Sequence, residues 1–95
     1  MHYAQVKNIH NTSGHTPEHF GYSTWKDFWE TNMNQSFGSC ANRNCPYPAE
    51  VGGHVIRTDI PSKRWYILPL CKHCNHFGND TPFFADASKL CPENI

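Results

Sequence analysis

Hydrophobic and polar positions change their spacing several times along the chain, and each change marks an element. In "STWKDFWETNM", Trp25, Phe28, Trp29 and Met33 recur at i, i+3, i+4 and i+8, one face of a helix. Ser23 or Thr24 can cap it, and Thr24 with Asp27 has capping-box spacing. The pattern predicts a helix over 24–33 whose aromatic stripe packs into the core. "AEVGGHVIRT" (49–58) and "RWYILPL" (64–70) are rich in Val, Ile, Trp and Tyr and predict two strands, with "DIPSK" as the turn of a hairpin. "KHCNHFG" is expected to open a short helix ending near Gly78. In the tail, Phe83, Phe84 and Leu90 predict a short strand or extended segment returning to the core. Residues 1–22 are polar and are expected to be irregular.

The alternation of strand and helix signals gives an α+β class, and 95 residues suit one domain. The expected division is an irregular segment at 1–22, followed by a single domain over 23–95. Only 38% of residues are apolar, with 14% aromatic, so aliphatic side chains are scarce. A core of this kind usually needs a disulfide or a metal to hold it. Five cysteines and seven histidines are available. The polar start lacks the apolar run of a secretory signal, and no stretch is long enough to span a membrane. The expected compartment is therefore the reducing cytoplasm, where clustered cysteines indicate metal before disulfide.

Two short-spaced pairs, Cys40-x4-Cys45 and Cys71-x2-Cys74, flank the hairpin. Zinc favours tetrahedral sulfur and nitrogen ligands, and structural sites are closed by four protein groups. The spacing predicts one structural Zn2+ on Cys40, Cys45, Cys71 and Cys74. A disulfide or unpaired thiols is one competing reading, and a mixed site using His73 or His76 is another. Cys91 has no near partner and is expected to behave as a small hydrophobe. The chain has no formal net charge, and four thiolates on one Zn2+ would make it slightly acidic. That balance argues mildly against strong nonspecific nucleic-acid binding.

The order of motifs resembles the treble-clef zinc finger of HNH-type domains, over roughly residues 38–90. It looks closest to small bacterial and phage HNH-like proteins. The residues carrying the likeness are the "NTSG" start, the Trp-rich helix, Gly52-Gly53-His54-Val55, Trp65 to Asn75, and Phe84 to Asn94. The resemblance implies a ββα zinc-binding fold with an extra N-terminal helix. For an active member it also implies a strand histidine as general base and a nearby divalent metal that stabilises charge on a scissile phosphate. His54 matches the general-base position. Gly53 stands where a metal ligand should precede it, Asn75 where a helix histidine often follows the second cysteine, and Asn79 also lacks an imidazole. His76 is rotated about 100° from Asn75 on a regular helix. His15 and His19 have i, i+4 spacing, but nothing in the sequence sets them beside His54. A second divalent metal is therefore not expected.

Arg57, Lys63, Arg64, Lys72, His73 and His76 form a candidate contact set near Trp65 and Tyr66, for phosphates or a protein partner. The competing reading is a solvated hairpin face with its aromatics turned to the core. The expectation is a noncatalytic HNH-like zinc module that binds a macromolecule, either a nucleic acid or a protein. The phage-like resemblance extends this to an inhibitor or adaptor acting on a host protein. The alternative is a metal-dependent nuclease using His54. No small-molecule substrate or membrane partner is expected.

Overall fold

The two stretches rich in β-branched and aromatic residues pair as expected. In the computed structural model, which describes residues 2–9, 17–61, 63–76 and 81–93, β2 (Val51–Arg57) and β3 (Trp65–Leu70) form an antiparallel hairpin. Its register sets Val51 opposite Leu70 and Ile56 opposite Trp65. The tail supplies both edges of the sheet: β4 (Phe83–Asp86) and β5 (Cys91–Pro92). A fifth strand, β1 (Tyr3–Asn8), lies between β4 and β2. The sheet is antiparallel with the order β4-β1-β2-β3-β5.

β1 corrects the expectation of an irregular chain over 1–22. "YAQVKN" alternates, but only Ala4 and Val6 are apolar on its inward face, and its third inward residue is the polar Asn8. Propensity alone does not mark such a strand. Pairing on both sides does, because β2 and β4 supply its backbone partners.

The helix α1 (Trp25–Met33) starts where the cap was expected. Thr24 is extended, and its hydroxyl accepts the Asp27 N–H at 3.0 Å. The Asp27 carboxylate in turn accepts the Ser23 hydroxyl at 2.9 Å. The helix ends at Asn34 in the left-handed region (φ 54°), whose N–H bonds to the Glu30 carbonyl. Glu30 also holds the following loop, accepting the Phe37 N–H at 2.8 Å.

Alternation along the strands divides the core between two faces of the sheet. On one face Phe28, Trp29 and Phe37 pack with Ile67 and Cys91, flanked by Tyr22, Trp25 and Met33. On the other, Ala4, Val6, Val55, Leu68, Leu70 and Ala85 pack around Cys40, Ala41, Cys71 and Cys74. α1 covers the first face above β2, β3 and β5. The adjacent glycines of β2 each serve one face. A Cβ on Gly52 would lie 2.7 Å from the Trp25 Cβ and 3.1 Å from its carbonyl carbon. A Cβ on Gly53 would meet the Asn75 side chain and Leu70. The absent side chains let the helix and the second cysteine turn approach the strand from opposite sides.

Pro69 sits inside β3 without disrupting the sheet. β5 pairs only with Tyr66 and Ile67, so β3 is an edge at Pro69 and no ladder N–H is required there. The Pro69 carbonyl accepts the Ala41 N–H at 2.8 Å. The same segment bonds to β4 through Arg43 N–H to Phe84 and Asp86 N–H to Ala41. The first cysteine loop thus ties β3 to β4 across the thiol-bearing face.

Candidate metal centre

The first cysteine pair is held by a loop closed on its own backbone. Ser39 bridges to Pro48, the Cys40 N–H bonds to the Tyr47 carbonyl at 2.9 Å, and the Cys45 N–H bonds to Asn42 at 3.0 Å. The Asn42 side-chain oxygen accepts the Asn44 N–H at 3.1 Å, an Asx turn. The second pair follows the last residue of β3. There the Cys74 N–H points at the Cys71 Sγ at 3.4 Å, and the Asn75 N–H bonds to the Cys71 carbonyl at 3.1 Å. Residues 72–75 form turns, where the sequence predicted the start of a helix. The Asn75 bond, i→i−4, closes a single helical turn, followed by the tighter His76 N–H to His73 carbonyl bond. The rest of that expected helix, Phe77 and Gly78, lies outside the described residues, as does Asn79.

These two turns bring the Sγ atoms of Cys40, Cys45, Cys71 and Cys74 within 4.8 Å of one another. The Sγ atoms of Cys45 and Cys71 are 3.6 Å apart. A tetrahedron with metal–sulfur bonds of about 2.3 Å has sulfur–sulfur edges of about 3.8 Å. The four thiols therefore lie near the geometry that one metal ion requires. All five cysteines are free thiols, and His73 and His76 are exposed and are not members of this group.

Burial dominates the electrostatics of the cluster. Burial is the largest influence on Cys40 and Cys74 and pushes both thiols up, Cys74 most strongly. Burial also acts to raise Cys71, but the Cys74 N–H and the neighbouring thiols outweigh it and hold Cys71 below its ordinary value. The cluster thus stabilises one thiolate and resists the accumulation of more negative charge. A metal cation reverses that resistance.

Two asparagines absent from the expected site complete it. Asn42 directs its side-chain N–H to the Cys74 Sγ at 3.5 Å. Asn8, buried at the end of β1, donates to the Cys74 carbonyl at 2.7 Å. Asn42 stood within a short, turn-prone cysteine loop, a signal open to reading. Asn8 carried none, because its role depends on a strand joining the sheet from the far end of the chain.

His54 lies on the opposite face from the thiols. Its ring stands edge-on to Trp25, with centroids 4.8 Å apart, and 5.9 Å from Trp65. It is only 7% exposed, and its Nε2 is 3.8 Å from a carboxylate oxygen of the buried Glu93. Gly53 and Asn75, the two positions where nuclease ligands were expected, meet on the thiol side. His15 and the side chain of His19 lie outside the described residues.

The candidate contact residues fall into separate groups. Arg57 is engaged by Asp59 through hydrogen bonds of 3.0 and 2.8 Å, which raise the guanidinium and lower the carboxyl. Lys63 and Arg64 are exposed beside the hairpin turn, and Lys72, His73 and His76 are exposed at the second cysteine turn. The six residues of β3 separate the two groups by about 20 Å. They do not make one compact patch.

The fold and the site together define a small α+β domain carrying a four-cysteine group able to hold one metal ion. No family model, curated protein or solved structure matches the chain. No helix among the described residues is long and apolar enough to cross a membrane.

Proposed function

We propose that the chain is a noncatalytic zinc module of HNH-like descent that acts by binding a macromolecular partner. The carrying observation is the four-thiol cluster, with every Sγ within 4.8 Å of the others. Four sulfur ligands suit zinc. They also leave no coordination position for water or substrate, which is the arrangement of a structural site. Zinc would join β1, the first cysteine loop and the end of β3, all of which bond to the cluster or its backbone.

The absence of catalysis is supported by the surroundings of His54. A general base must reach the proton it removes. His54 is enclosed by two tryptophans and Glu93, on the face away from the thiols. Where the HNH resemblance would place metal ligands, the Asn75 side chain rests against Gly53.

Elemental analysis of the purified protein should give one zinc per chain, and cobalt substitution should produce thiolate-to-metal absorption. Plasmid DNA incubated with magnesium or manganese should remain intact. Cleavage that disappears in His54→Ala would overturn the noncatalytic reading. A protein without metal, unable to take up cobalt, would overturn the zinc reading.

A further inference from the structure

The four thiols of the cluster are not equally enclosed. Cys40, Cys71 and Cys74 are buried, whereas Cys45 is half-buried. Cys40 and Cys45 also line an open cavity of about 340 Å³, with Asn42, Arg43, Asp86 and Lys89 among its other walls. The cluster therefore has one side in the core and one side that a molecule in solution can reach. Cys71 stands on the core side, 3% exposed, with its Sγ 3.6 Å from that of Cys45. That separation is close to the about 3–3.5 Å from which reacting atoms combine. Cys91, the fifth thiol, packs on the opposite face of the sheet and lies outside the group.

Thiols that hold a metal do so as thiolates. The thiolate is also the form that two-electron oxidants attack, and an accessible one beside a second cysteine closes to a disulfide. The cluster supplies both parts, an accessible sulfur at Cys45 and an enclosed one at Cys71. Hydrogen peroxide is small and uncharged, so the mixed charges on the cavity wall do not decide its entry.

We propose that Cys45 and Cys71 form a reversible oxidation site, at which a hydroperoxide converts the metal-holding cluster into a disulfide form. The inference rests on the zinc reading of the cluster and adds a regulation of that same site. The Cys45 sulfur attacks one peroxide oxygen. A sulfur–oxygen bond forms, the oxygen–oxygen bond breaks, and the leaving hydroxide takes a proton from solvent to become water. Cys71 then attacks the Cys45 sulfur. The disulfide bond forms, the sulfur–oxygen bond breaks, and a second hydroxide leaves and is protonated. The two sulfurs together lose two electrons, and the peroxide is reduced to two waters. Cys40 and Cys74 remain, two sulfurs where a closed site uses four. The change reaches the sheet through Ala41, whose N–H bonds to the Pro69 carbonyl and whose carbonyl accepts the Asp86 N–H.

The test treats zinc-loaded protein with hydrogen peroxide in the absence of thiol reductants. A chromogenic chelator reads released zinc, and peptide mapping by mass spectrometry without reduction reads the pairing. One zinc per chain should be released as one disulfide forms between Cys45 and Cys71, with Cys40, Cys74 and Cys91 remaining thiols. A 1,3-dione present during the reaction should trap sulfenic acid at Cys45 before any other cysteine. The melting temperature should fall, and a dithiol reductant with added zinc should restore it together with the zinc content. Zinc retained under excess peroxide would overturn the inference and leave the zinc reading intact. So would a disulfide that joins other cysteines, sulfenic acid trapped first elsewhere, or zinc loss that reduction and added zinc do not reverse. Absence of zinc from the untreated protein would instead overturn the zinc reading, and the inference with it.

Discussion

The two faces of the sheet solve one problem with different chemistry. The helix face is filled by rings: Phe28, Trp29 and Phe37 are buried against Ile67 and Cys91, and Trp25 meets Phe28 edge-on at 5.1 Å. Large aromatic side chains bury much area each, so a nine-residue helix is enough to cover β2 and β3. The thiol face has Ala4, Ala41 and Ala85 with two valines and two leucines, and its remaining buried members are cysteines. Small side chains contribute little transfer energy. One metal ion on the four thiols would supply what area does not. The comparison teaches that a small domain can fill one side of a sheet with rings and gather on the other a set of thiols able to hold a metal.

Removing the metal should break the comparison most severely. A structural zinc site contributes about 10–16 kcal/mol in small domains, comparable with or larger than the whole stability of an ordinary fold. A strong chelator, or Cys74→Ala, should abolish the cooperative thermal transition seen by far-UV dichroism. An unchanged melting curve would show that the thiol face holds without metal. The matching change on the helix face is Trp29→Ala, which empties a fully buried site and removes the bond from its Nε1 to the Lys89 carbonyl. The expected cost is about 3–5 kcal/mol by denaturant titration, with zinc retained. Loss of zinc in that variant would mean that the two faces are not separable.

The paired glycines sharpen the contrast at neighbouring positions. Gly52→Ala presses on the helix at Trp25, including its backbone, which cannot swing aside. Gly53→Ala presses on the side chains of Asn75 and Leu70. Each should destabilise by about 1–3 kcal/mol, with Gly52→Ala the more costly. Asn75→Ala should relieve much of the Gly53→Ala effect and none of the Gly52→Ala effect. Equal response of both variants would remove the assignment of one glycine to each face.

The smallest effect belongs to the exposed ion pair beyond both faces. Asp59 is hydrogen-bonded by Arg57, and its carboxyl lies below the ordinary value of 3.8. A group depressed on folding stabilises above its unfolded value and loses that contribution as pH falls through the folded one. The Asp59 contribution should therefore be complete at neutral pH and fade below about pH 4. Partial exposure limits it to about 1 kcal/mol or less. Asp59→Asn should flatten that part of the stability profile. An unchanged acid limb would show that the pair contributes nothing.

Several elements were legible because their signals are local. The aromatic spacing predicted a helix over 24–33, observed at Trp25–Met33 with the expected Thr24 cap. The hairpin strands follow runs of apolar residues separated by a proline-bearing turn. β1 was not legible, since its three inward residues are Ala4, Val6 and Asn8. Of the helix expected after Cys71, the described residues 72–75 form one turn, closed by the Asn75 N–H to Cys71 carbonyl bond. The grouping of Arg57 to Lys72 joined residues close in sequence, but an extended strand separates its two ends.

By itself, then, the sequence determined the cap, the helical face, the hairpin and the spacing of two cysteine pairs. Each depends on contacts within a few residues or on a short repeat. Only the tertiary structure decided that β1 enters the sheet, that Asn8 and Asn42 support Cys74, and that His54 turns toward tryptophans and away from the thiols. Those outcomes depend on strand order and on which face each residue occupies. In a sheet, a shift of one position exchanges the two faces, and only long-range pairing selects between them.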